Sequence, residues 1–300
     1  MAGVRLVGRI ELVGAAGEPV DFRRTLASHG VATLAPNRID FSDYVLETTA
    51  LVDGEPQTIR VSEPEGGAAR VQAVAADGRG RKASVLALVR HLFRLEDDLS
   101  GFYARAAKDE RLAWVTSGAG RMLRSPTVFE DVVKTICTTN TSWSATVRMT
   151  DALVEGLGAA ARDGRKTFPT AQAMAEAPLD FYTDVARAGY RGAYLLQLAT
   201  DVAEGRLDLE ELANPELPDA EVEQRLLALP GVGPYAAAHV MLTSLGRYGR
   251  LILDSWTRPT YARLTGRKSA DPAIQRRFRR FGEYAGLAFW MVLTRDWIED

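Results

Sequence analysis

A single acidic residue stands at the end of an apolar run in the last third of the chain. In "GRYGRLILDSW", Asp254 follows β-branched and aliphatic side chains and precedes Trp256. Carboxylates are seldom placed in such surroundings without a role, because removing their charge from water is costly. A carboxylate held there could stabilise positive charge that develops on a substrate. Asp254 is therefore the leading candidate catalytic residue.

A glycine-containing loop lies a short distance before this acid. In "LPGVGPYAAAHVML", one helix is predicted to end near Leu229 and a second to begin near Tyr235, so the loop amides should face outward. Amides at a helix start bind anions. No lysine follows the second glycine and no strand precedes the loop, which argues against a nucleotide-binding loop. A phosphodiester backbone remains a suitable ligand, and the alternative is a plain helix-turn-helix corner capped by glycines.

Two kinds of hydrophobic spacing divide the chain. The first ninety or so residues favour strands, with a hairpin at Asp53 and Gly54, a short helix in "PVDFRRTLASHG" and a loop in "EPEGGAA". From about Lys82 the spacing of three and four residues predicts helices. We therefore predict an α+β, mainly α protein. A small β-rich amino-terminal domain (1–90) would precede an all-helical body (91–300) that contains the hairpin (226–242).

Composition limits the classes of function. The chain has 300 residues, 46% of them hydrophobic, and a net charge of −2. The single cysteine, Cys137, excludes a disulfide framework and a four-cysteine zinc or iron–sulfur site. No apolar run is long enough to cross a bilayer, and charged residues interrupt the start of the chain. We expect a soluble, cytoplasmic protein without a membrane partner.

The charge is unevenly distributed. The segment from Asp201 to Glu223 holds nine acidic residues and one arginine, whereas Arg247 to Arg280 holds ten basic residues and two acids. A nucleic-acid surface depends on where positive charge lies more than on the net value. The second segment could therefore contact DNA, although a solvated helix face is an equal alternative for "RRFRR" alone.

Taken together, the residues from Leu229 to Trp256 resemble the helix-hairpin-helix, the Gly/Pro-rich loop and the aspartate of the HhH-GPD superfamily of base-excision DNA glycosylases. Two further segments, "GRMLRSPTVFEDVVKTICTTNTSWSATVRM" and "RAGYRGAYLLQLATDV", are similar to helices of the 8-oxoguanine and alkyladenine (3-methyladenine) DNA glycosylases. The resemblance covers roughly residues 90–300. The front domain is similar to the small β-rich domain of those two groups, though less distinctively.

The resemblance implies a role for each matching position. Asp254 would be the catalytic acid, Asn140 would fill the gap left by an extruded nucleotide, and Arg191 would touch the orphaned partner base. The residues that would contact DNA phosphate at the hairpin are Leu229, Gly231, Val232, Gly233 and Tyr235. The backbone carbonyls that would hold a structural Na⁺ or K⁺ ion are those of Leu227, Leu229 and Val232.

Departures from the superfamily pattern refine the expected activity. Bifunctional members form a Schiff base through a lysine where this chain has Tyr235, so we expect a monofunctional glycosylase without lyase activity. The iron–sulfur loop of other branches is missing, and the three histidines have no metal-ligand spacing, so no cofactor is expected. Ala145 replaces a second arginine at the partner base, and Gly286 replaces a glutamine that reads 8-oxoguanine.

Aromatic residues suggest the class of base. The predicted base pocket consists of Tyr235, His239, Trp143, Trp256 and Trp290. Their π faces favour a cationic alkylated purine, through attractions of roughly 0.5 to 2 kcal/mol, although core packing is the alternative for each ring.

The expected function is excision of a damaged, alkylated purine from double-stranded DNA by a monomeric enzyme, associated with the nucleoid if the source is bacterial. The alternatives are an oxidised-purine glycosylase and a non-catalytic lesion- or abasic-site-binding protein. Intact Asp254 speaks against the non-catalytic protein.

Overall fold

The computed structural model describes residues 3–65, 67–74 and 81–298. Its amino-terminal part forms an antiparallel sheet with the strand order β1-β5-β4-β3-β2. The strands are β1 (Val4–Glu11), β2 (Arg38–Asp40), β3 (Val45–Val52), β4 (Glu55–Glu65) and β5 (Ala68–Val74).

The two hairpins of this sheet test the turn predictions. Asp53 and Gly54 have φ values of +50° and +79°, as a two-residue hairpin turn requires, so the predicted hairpin is confirmed. The predicted loop "EPEGGAA" is wrong in extent. Strand β4 continues to Glu65, which pairs with Ala68, and residue 66 lies outside the described residues. Strand pairing extends into the segment despite its glycines because "AARVQAV" alternates buried and half-buried positions along β5.

The remainder of the described chain is helical, with short 3-10 and π turns as connections. The helices are α1 (Phe22–Leu26), α2 (Lys82–Leu92), α3 (Ser100–Ala106), α4 (Val128–Thr138), α5 (Trp143–Leu157), α6 (Ala171–Ala175), α7 (Arg191–Ala203), α8 (Asp219–Leu227), α9 (Pro234–Thr243), α10 (Thr257–Thr265), α11 (Asp271–Phe278) and α12 (Ala285–Thr294).

Helix α2 joins the two parts of the molecule. It begins at Lys82, where the hydrophobic spacing predicts the start of the helical region. Its buried side chains Val85, Val89 and Leu92 pack in the same core as Ile59 and Val61 of the sheet. The first long helix therefore completes the core of the amino-terminal part.

Helix α9 occupies the centre of the helical body. Its side chains Ala237 and Val240 belong to one hydrophobic core, whereas Ala238 and Leu242 belong to a second. A helix that is apolar on all sides is buried on all sides. The run "AAAHVML" therefore encodes a central helix, and His239 is buried with it.

This architecture confirms the predicted α+β, mainly α fold class. Among the residues that the structure describes, no helix combines the length and the apolar character needed to cross a lipid bilayer.

Candidate active site

The predicted hairpin lies between α8 and α9. Leu229 and Val232 are buried and anchor the loop in a hydrophobic core. Gly231 has a φ of +78°, and a β-carbon at this position would lie 2.9 Å from Cδ2 of Tyr194. Glycine alone adopts this conformation without strain and leaves room for the tyrosine ring. Backbone conformation and packing thus both require the first glycine.

The second feature of the hairpin is a set of free amides. The backbone N–H groups of Gly231, Gly233 and Tyr235 donate to no acceptor within the described ranges. Pro234 occupies the first position of α9 and has no N–H group of its own. Unpaired amides at a helix start, supported by the helix dipole, suit a phosphate group.

The hairpin carbonyls predicted to hold a monovalent cation can also be located. The Leu229 carbonyl accepts a hydrogen bond from the Val232 amide at 3.2 Å. Among the described residues, no donor reaches the carbonyls of Leu227 and Val232. Carbonyl oxygens with free lone pairs are hard ligands of the kind that hard cations take, so these residues fit such an ion.

Asp254 is held at the start of α10. Its Oδ1 accepts hydrogen bonds from the amides of Trp256 at 2.9 Å and Thr257 at 2.6 Å, and its own amide donates to Oγ1 of Thr257 at 2.8 Å. This reciprocal cap fixes the orientation of the carboxylate. Its Oδ2 has no hydrogen-bond partner in the part of the chain that the structure describes. One oxygen is thus used for positioning and the other is available to a substrate.

Asp254 opens onto a cleft of about 620 Å³ that Asn140, Gly231, Gly233 and Tyr235 also line. The volume lies in the range of small-molecule sites. Asp254 is the sole carboxylate among the described residues that line it. The structure therefore brings the predicted catalytic acid, the hairpin and the predicted gap-filling residue to one cavity.

Asn140 stands at the rim of this cleft. Its side chain is exposed, its φ is +46°, and asparagine tolerates this left-handed conformation better than most residues. Its Nδ2 donates to the hydroxyl of Tyr190 over a long 3.5 Å. An exposed, weakly tethered side chain at a turn can enter a DNA duplex, and that role stays a prediction.

Arg191 is bonded to the backbone of the turn that carries Asn140. Its Nε donates to the Thr139 carbonyl and its Nη2 to the Asn140 carbonyl, both at 3.0 Å, and the guanidinium lies 4.6 Å from the ring centre of Tyr190. The residue is only 7% exposed. Because backbone carbonyls engage its donors, this arginine holds the Asn140 turn, and its contact with an orphaned partner base stays a prediction.

The predicted base-pocket residues do not share the cleft wall. Tyr235 lines the cleft and its hydroxyl pairs with Oγ1 of Thr138 at 3.2 Å. Among the described lining residues, the cleft does not include His239, Trp143, Trp256 or Trp290. Trp290 is buried, and its ring centre lies 5.6 Å from that of Trp256. Trp143 and Trp256 are exposed, whereas His239 and Trp290 are buried, and their role in a base pocket stays a prediction.

Instead, the end of the segment "PVDFRRTLASHG", for which the sequence predicts only a short helix, connects three of these rings. The Trp290 Nε1 donates to the Ser28 carbonyl at 2.8 Å. The rings of His29 and His239 meet edge to face at 5.7 Å, and the Trp143 ring lies 3.2 Å from the place a β-carbon on Gly30 would take. Residues 28–30 of the amino-terminal part thus enter the helical body. No local signal in "LASHG" connects it with these distant helices.

Burial alters the titration of the groups behind the cleft. Desolvation lowers the pKa of His29 to about 4 and that of His239 to about 3, and it raises the pKa of the Tyr235 hydroxyl. Both imidazoles are therefore neutral at pH 7. Cys137 is fully buried and its pKa is raised to about 12 by desolvation.

Gly286 has a structural explanation. Its amide donates to the Tyr248 carbonyl at 2.7 Å, and a β-carbon there would lie 2.0 Å from the Arg250 carbonyl oxygen. No larger residue fits this backbone contact. The position therefore supplies no side chain to read a base, and the expectation that this departure counts against 8-oxoguanine stays a prediction.

Part of the basic segment is exposed and without ion pairs among the described residues. Arg276, Arg277 and Arg279 are exposed and form no ion pair within the described ranges. Arg280 is paired with Asp109. The predicted "RRFRR" surface is thus present with most of its charge available.

The chain is similar in sequence to a known protein over part of its length. No protein-family model matches the chain. It is 23% identical over 171 residues to YfjP of Bacillus subtilis, whose name assigns it provisionally to the DNA-3-methyladenine glycosylases. That match covers 57% of this chain and 58% of the relative, which is less than two thirds of the relative's length.

Solved structures extend the likeness to nearly the whole chain. The 3-methyladenine DNA-glycosylase of Archaeoglobus fulgidus superimposes with a TM-score of 0.75 at 20% identity, over 97% of this chain and 98% of that one. The 8-oxoguanine glycosylase/lyase of Clostridium acetobutylicum, bound to double-stranded DNA with cytosine opposite 8-oxoguanine, gives 0.71 at 21% identity over 92% of each. The chain therefore has the fold of these DNA glycosylases, as its resemblance implied.

Proposed function

We propose that this protein is a DNA glycosylase that hydrolyses the N-glycosidic bond of a flipped, damaged purine, with Asp254 as its catalytic carboxylate. One observation carries the proposal. The oriented carboxylate and the free hairpin amides open onto the same cleft. A group that stabilises positive charge thus lies beside groups that suit a phosphate, as cleavage of a nucleotide within a DNA strand requires.

The chemistry follows from this arrangement. The bond between C1′ and the purine nitrogen breaks, and its electron pair leaves with the base. The sugar then carries positive charge that the Asp254 carboxylate stabilises. A water molecule adds its oxygen to C1′ and loses one proton to the carboxylate or to solvent. The products are the free base and an abasic site.

Among the described residues, no lysine amine lines the cleft, which favours hydrolysis of the N-glycosidic bond without cleavage of the DNA strand. Tyr235 stands where a Schiff-base lysine is placed in bifunctional superfamily members, and none of the described lysines lines the cleft. Lys134 is buried in an ion pair with Glu130. We infer a monofunctional enzyme that leaves the DNA strand uncut.

An alkylated purine is the substrate that the leaving-group chemistry supports best. A purine alkylated on a ring nitrogen carries positive charge and departs as a neutral molecule, so it needs no general acid. Asp254 is the sole carboxylate among the described cleft residues, which leaves no separate acid for a neutral base. The names of the Bacillus and Archaeoglobus relatives are in accord with this choice.

An oxidised purine is the second candidate. It is favoured by the likeness of this fold to the Clostridium 8-oxoguanine glycosylase/lyase. A duplex with 8-oxoguanine opposite each of the four bases distinguishes the two substrates.

The hairpin supplies the remaining parts of the proposed enzyme. Its free amides would hold one DNA phosphate, and the carbonyls of Leu227, Leu229 and Val232 would hold a Na⁺ or K⁺ ion beside it. Such an ion would strengthen the attraction to the phosphate. We propose that the protein acts as a monomer and that its partner is DNA that contains a damaged base.

Base release from methylated genomic DNA tests the proposal. Wild type and Asp254→Asn are incubated with the DNA, and free bases are identified by mass spectrometry. We expect methylpurines from wild type and nearly none from the variant. Equal release by both would refute the role of Asp254. No release from methylated, oxidised or deaminated DNA, together with tight binding of an abasic site, would support a non-catalytic protein.

A further inference from the structure

Two buried histidines meet where the amino-terminal part contacts the central helix. His29 follows α1 and is 3% exposed, and His239 lies in α9 and is 4% exposed. His239 lies one helical turn after Tyr235, and the centres of these two rings are 5.9 Å apart. Since Tyr235 lines the Asp254 cleft, the histidine pair lies directly behind the cleft wall.

The bonding of His29 leaves one nitrogen without a partner. Its Nε2 lies 2.7 Å from the Leu123 carbonyl oxygen, which can only accept, so Nε2 carries the proton. Nδ1 is then an acceptor, and it is buried with no hydrogen-bond partner among the described residues. Buried polar atoms are nearly always paired, and an exception needs an explanation such as a ligand.

The hydrogen bonds of His239 also leave one ring nitrogen without a partner among the described residues. The Thr243 hydroxyl donates its proton to the His239 carbonyl at 2.9 Å. The contact between this hydroxyl and Nδ1 at 3.3 Å therefore requires Nδ1 of His239 to be the donor. Nε2 is then an acceptor, and it has no hydrogen-bond partner in the described part of the chain.

The rings around the pair suit a planar ligand. Tyr235 flanks His239 on the cleft side. Trp290 is tied to Ser28, the residue before His29, and contacts Trp256, which lies two residues after Asp254. Aromatic faces and two acceptor nitrogens thus lie close to the carboxylate that would stabilise the positive charge on the sugar.

We propose that His29 and His239 form the base-recognition subsite, where Nδ1 of His29 and Nε2 of His239 accept hydrogen bonds from a purine that carries N–H groups and positive charge. This inference rests on the proposed function and adds the residues that select the base. A purine alkylated on a ring nitrogen has both properties, since its amino group donates and its ring is cationic.

The charge around the pair agrees with this ligand. Burial keeps both imidazoles neutral at pH 7 by lowering the pKa of each, so neither repels a cation. The positive charges that influence His29 are already paired, Arg94 with Asp97 and Lys134 with Glu130.

Two substitutions of His29 separate recognition from packing. His29→Gln places an amide donor where Nε2 reaches Leu123 and has no acceptor at the Nδ1 position. His29→Asn does the opposite, because its Oδ1 replaces Nδ1 and the Leu123 contact is lost. We expect kcat/KM for release of 7-methylguanine from duplex DNA to fall about tenfold or more in His29→Gln, equivalent to one hydrogen bond. His29→Asn should stay within about threefold of wild type.

A base-free ligand supplies the control. Binding of abasic-site DNA should be unchanged in both variants and in His239→Phe, which keeps a ring but lacks Nε2 and should also lose release about tenfold. If His29→Asn loses as much activity as His29→Gln, or more, the role of His29 is only its hydrogen bond to the Leu123 carbonyl. That result would refute the proposed base-recognition subsite. If wild type releases 8-oxoguanine faster than methylpurines, the proposal that the subsite takes a cationic purine would be overturned. If wild type releases no base at all, the proposed function itself fails.

Discussion

The Asp254 cleft and the His29–His239 contact lie side by side but are built in different ways. Asp254 is oriented by amides two and three residues later in the chain, and the hairpin amides belong to one loop. The Ser28–Trp290 bond beside His29 joins residues 262 positions apart. The groups proposed to do the chemistry are thus local, whereas those proposed to select the base come from separate elements. Sequence changes can alter selection without disturbing the carboxylate.

The largest effect should come from the local region. Asp254→Asn keeps Oδ1 as an acceptor for the two amides but removes the negative charge, so we expect kcat to fall by about 10² to 10³ with little loss of stability. Single-turnover release of 7-methylguanine measures the change. Asp208→Asn is the matched control, because Oδ1 of Asp208 caps the amides of Glu210 and Glu211 at 3.0 and 3.2 Å outside the cleft. Equal losses in both variants would show that capping alone matters.

The buried pair should respond to acid. The folded-state pKa of His239 is about 3, lowered by burial and by His29 and opposed by Asp131 and Asp254, whereas the unfolded value is near 6.5. The unfolded chain therefore binds more protons between these values, so this stability is complete above pH 6.5 and is lost as pH falls toward 3. Between pH 7 and 4.5, we expect the unfolding free energy of His239→Phe to fall by about 2 kcal/mol less than that of wild type.

Urea unfolding at each pH measures this difference. Burial lowers the pKa of His91 to about 4. Because His91 is present in both proteins, it contributes the same pH dependence of stability to both curves. Parallel curves for wild type and His239→Phe would mean that His239 does not stay neutral in the folded protein.

The hairpin glycines offer a paired test of the local region. Gly231→Ala places a β-carbon at a φ of +78° and against Tyr194, which should cost about 1 to 2 kcal/mol of unfolding free energy and weaken binding of abasic DNA. Gly233 has an ordinary φ of −101° and open space around it, so Gly233→Ala should leave stability within about 0.5 kcal/mol. Thermal unfolding and fluorescence anisotropy test both. Equal destabilisation would contradict the packing reason for Gly231.

The smallest expected effect concerns Arg191. Arg191→Lys loses the guanidinium that bridges the Thr139 and Asn140 carbonyls. We therefore expect base release to fall about tenfold. The factor should be the same whichever base lies opposite. Release rates from four duplexes that differ in the opposite base provide the measurement. A loss confined to one opposite base would support direct reading of that base by Arg191.

Local sequence signals predicted much of the fold and part of the site. The Asp53–Gly54 turn, the start of α2 at Lys82 and the hairpin glycines are encoded by residues that interact with near neighbours. Asp254 could be found because one acid in an apolar run is unusual. The orientation of Arg191 could not be found, because its engagement depends on carbonyls of a distant turn.

By itself, the sequence determined the α+β architecture, the central apolar helix and the candidate carboxylate. These follow from periodicity, turn residues and caps, in which each residue acts on others a few positions away. Only the tertiary structure decided that four of the five predicted pocket rings leave the cleft wall, and that His29 joins His239 behind it. Such contacts are set by the packing of whole elements against one another, a sum over many side chains that no local spacing records.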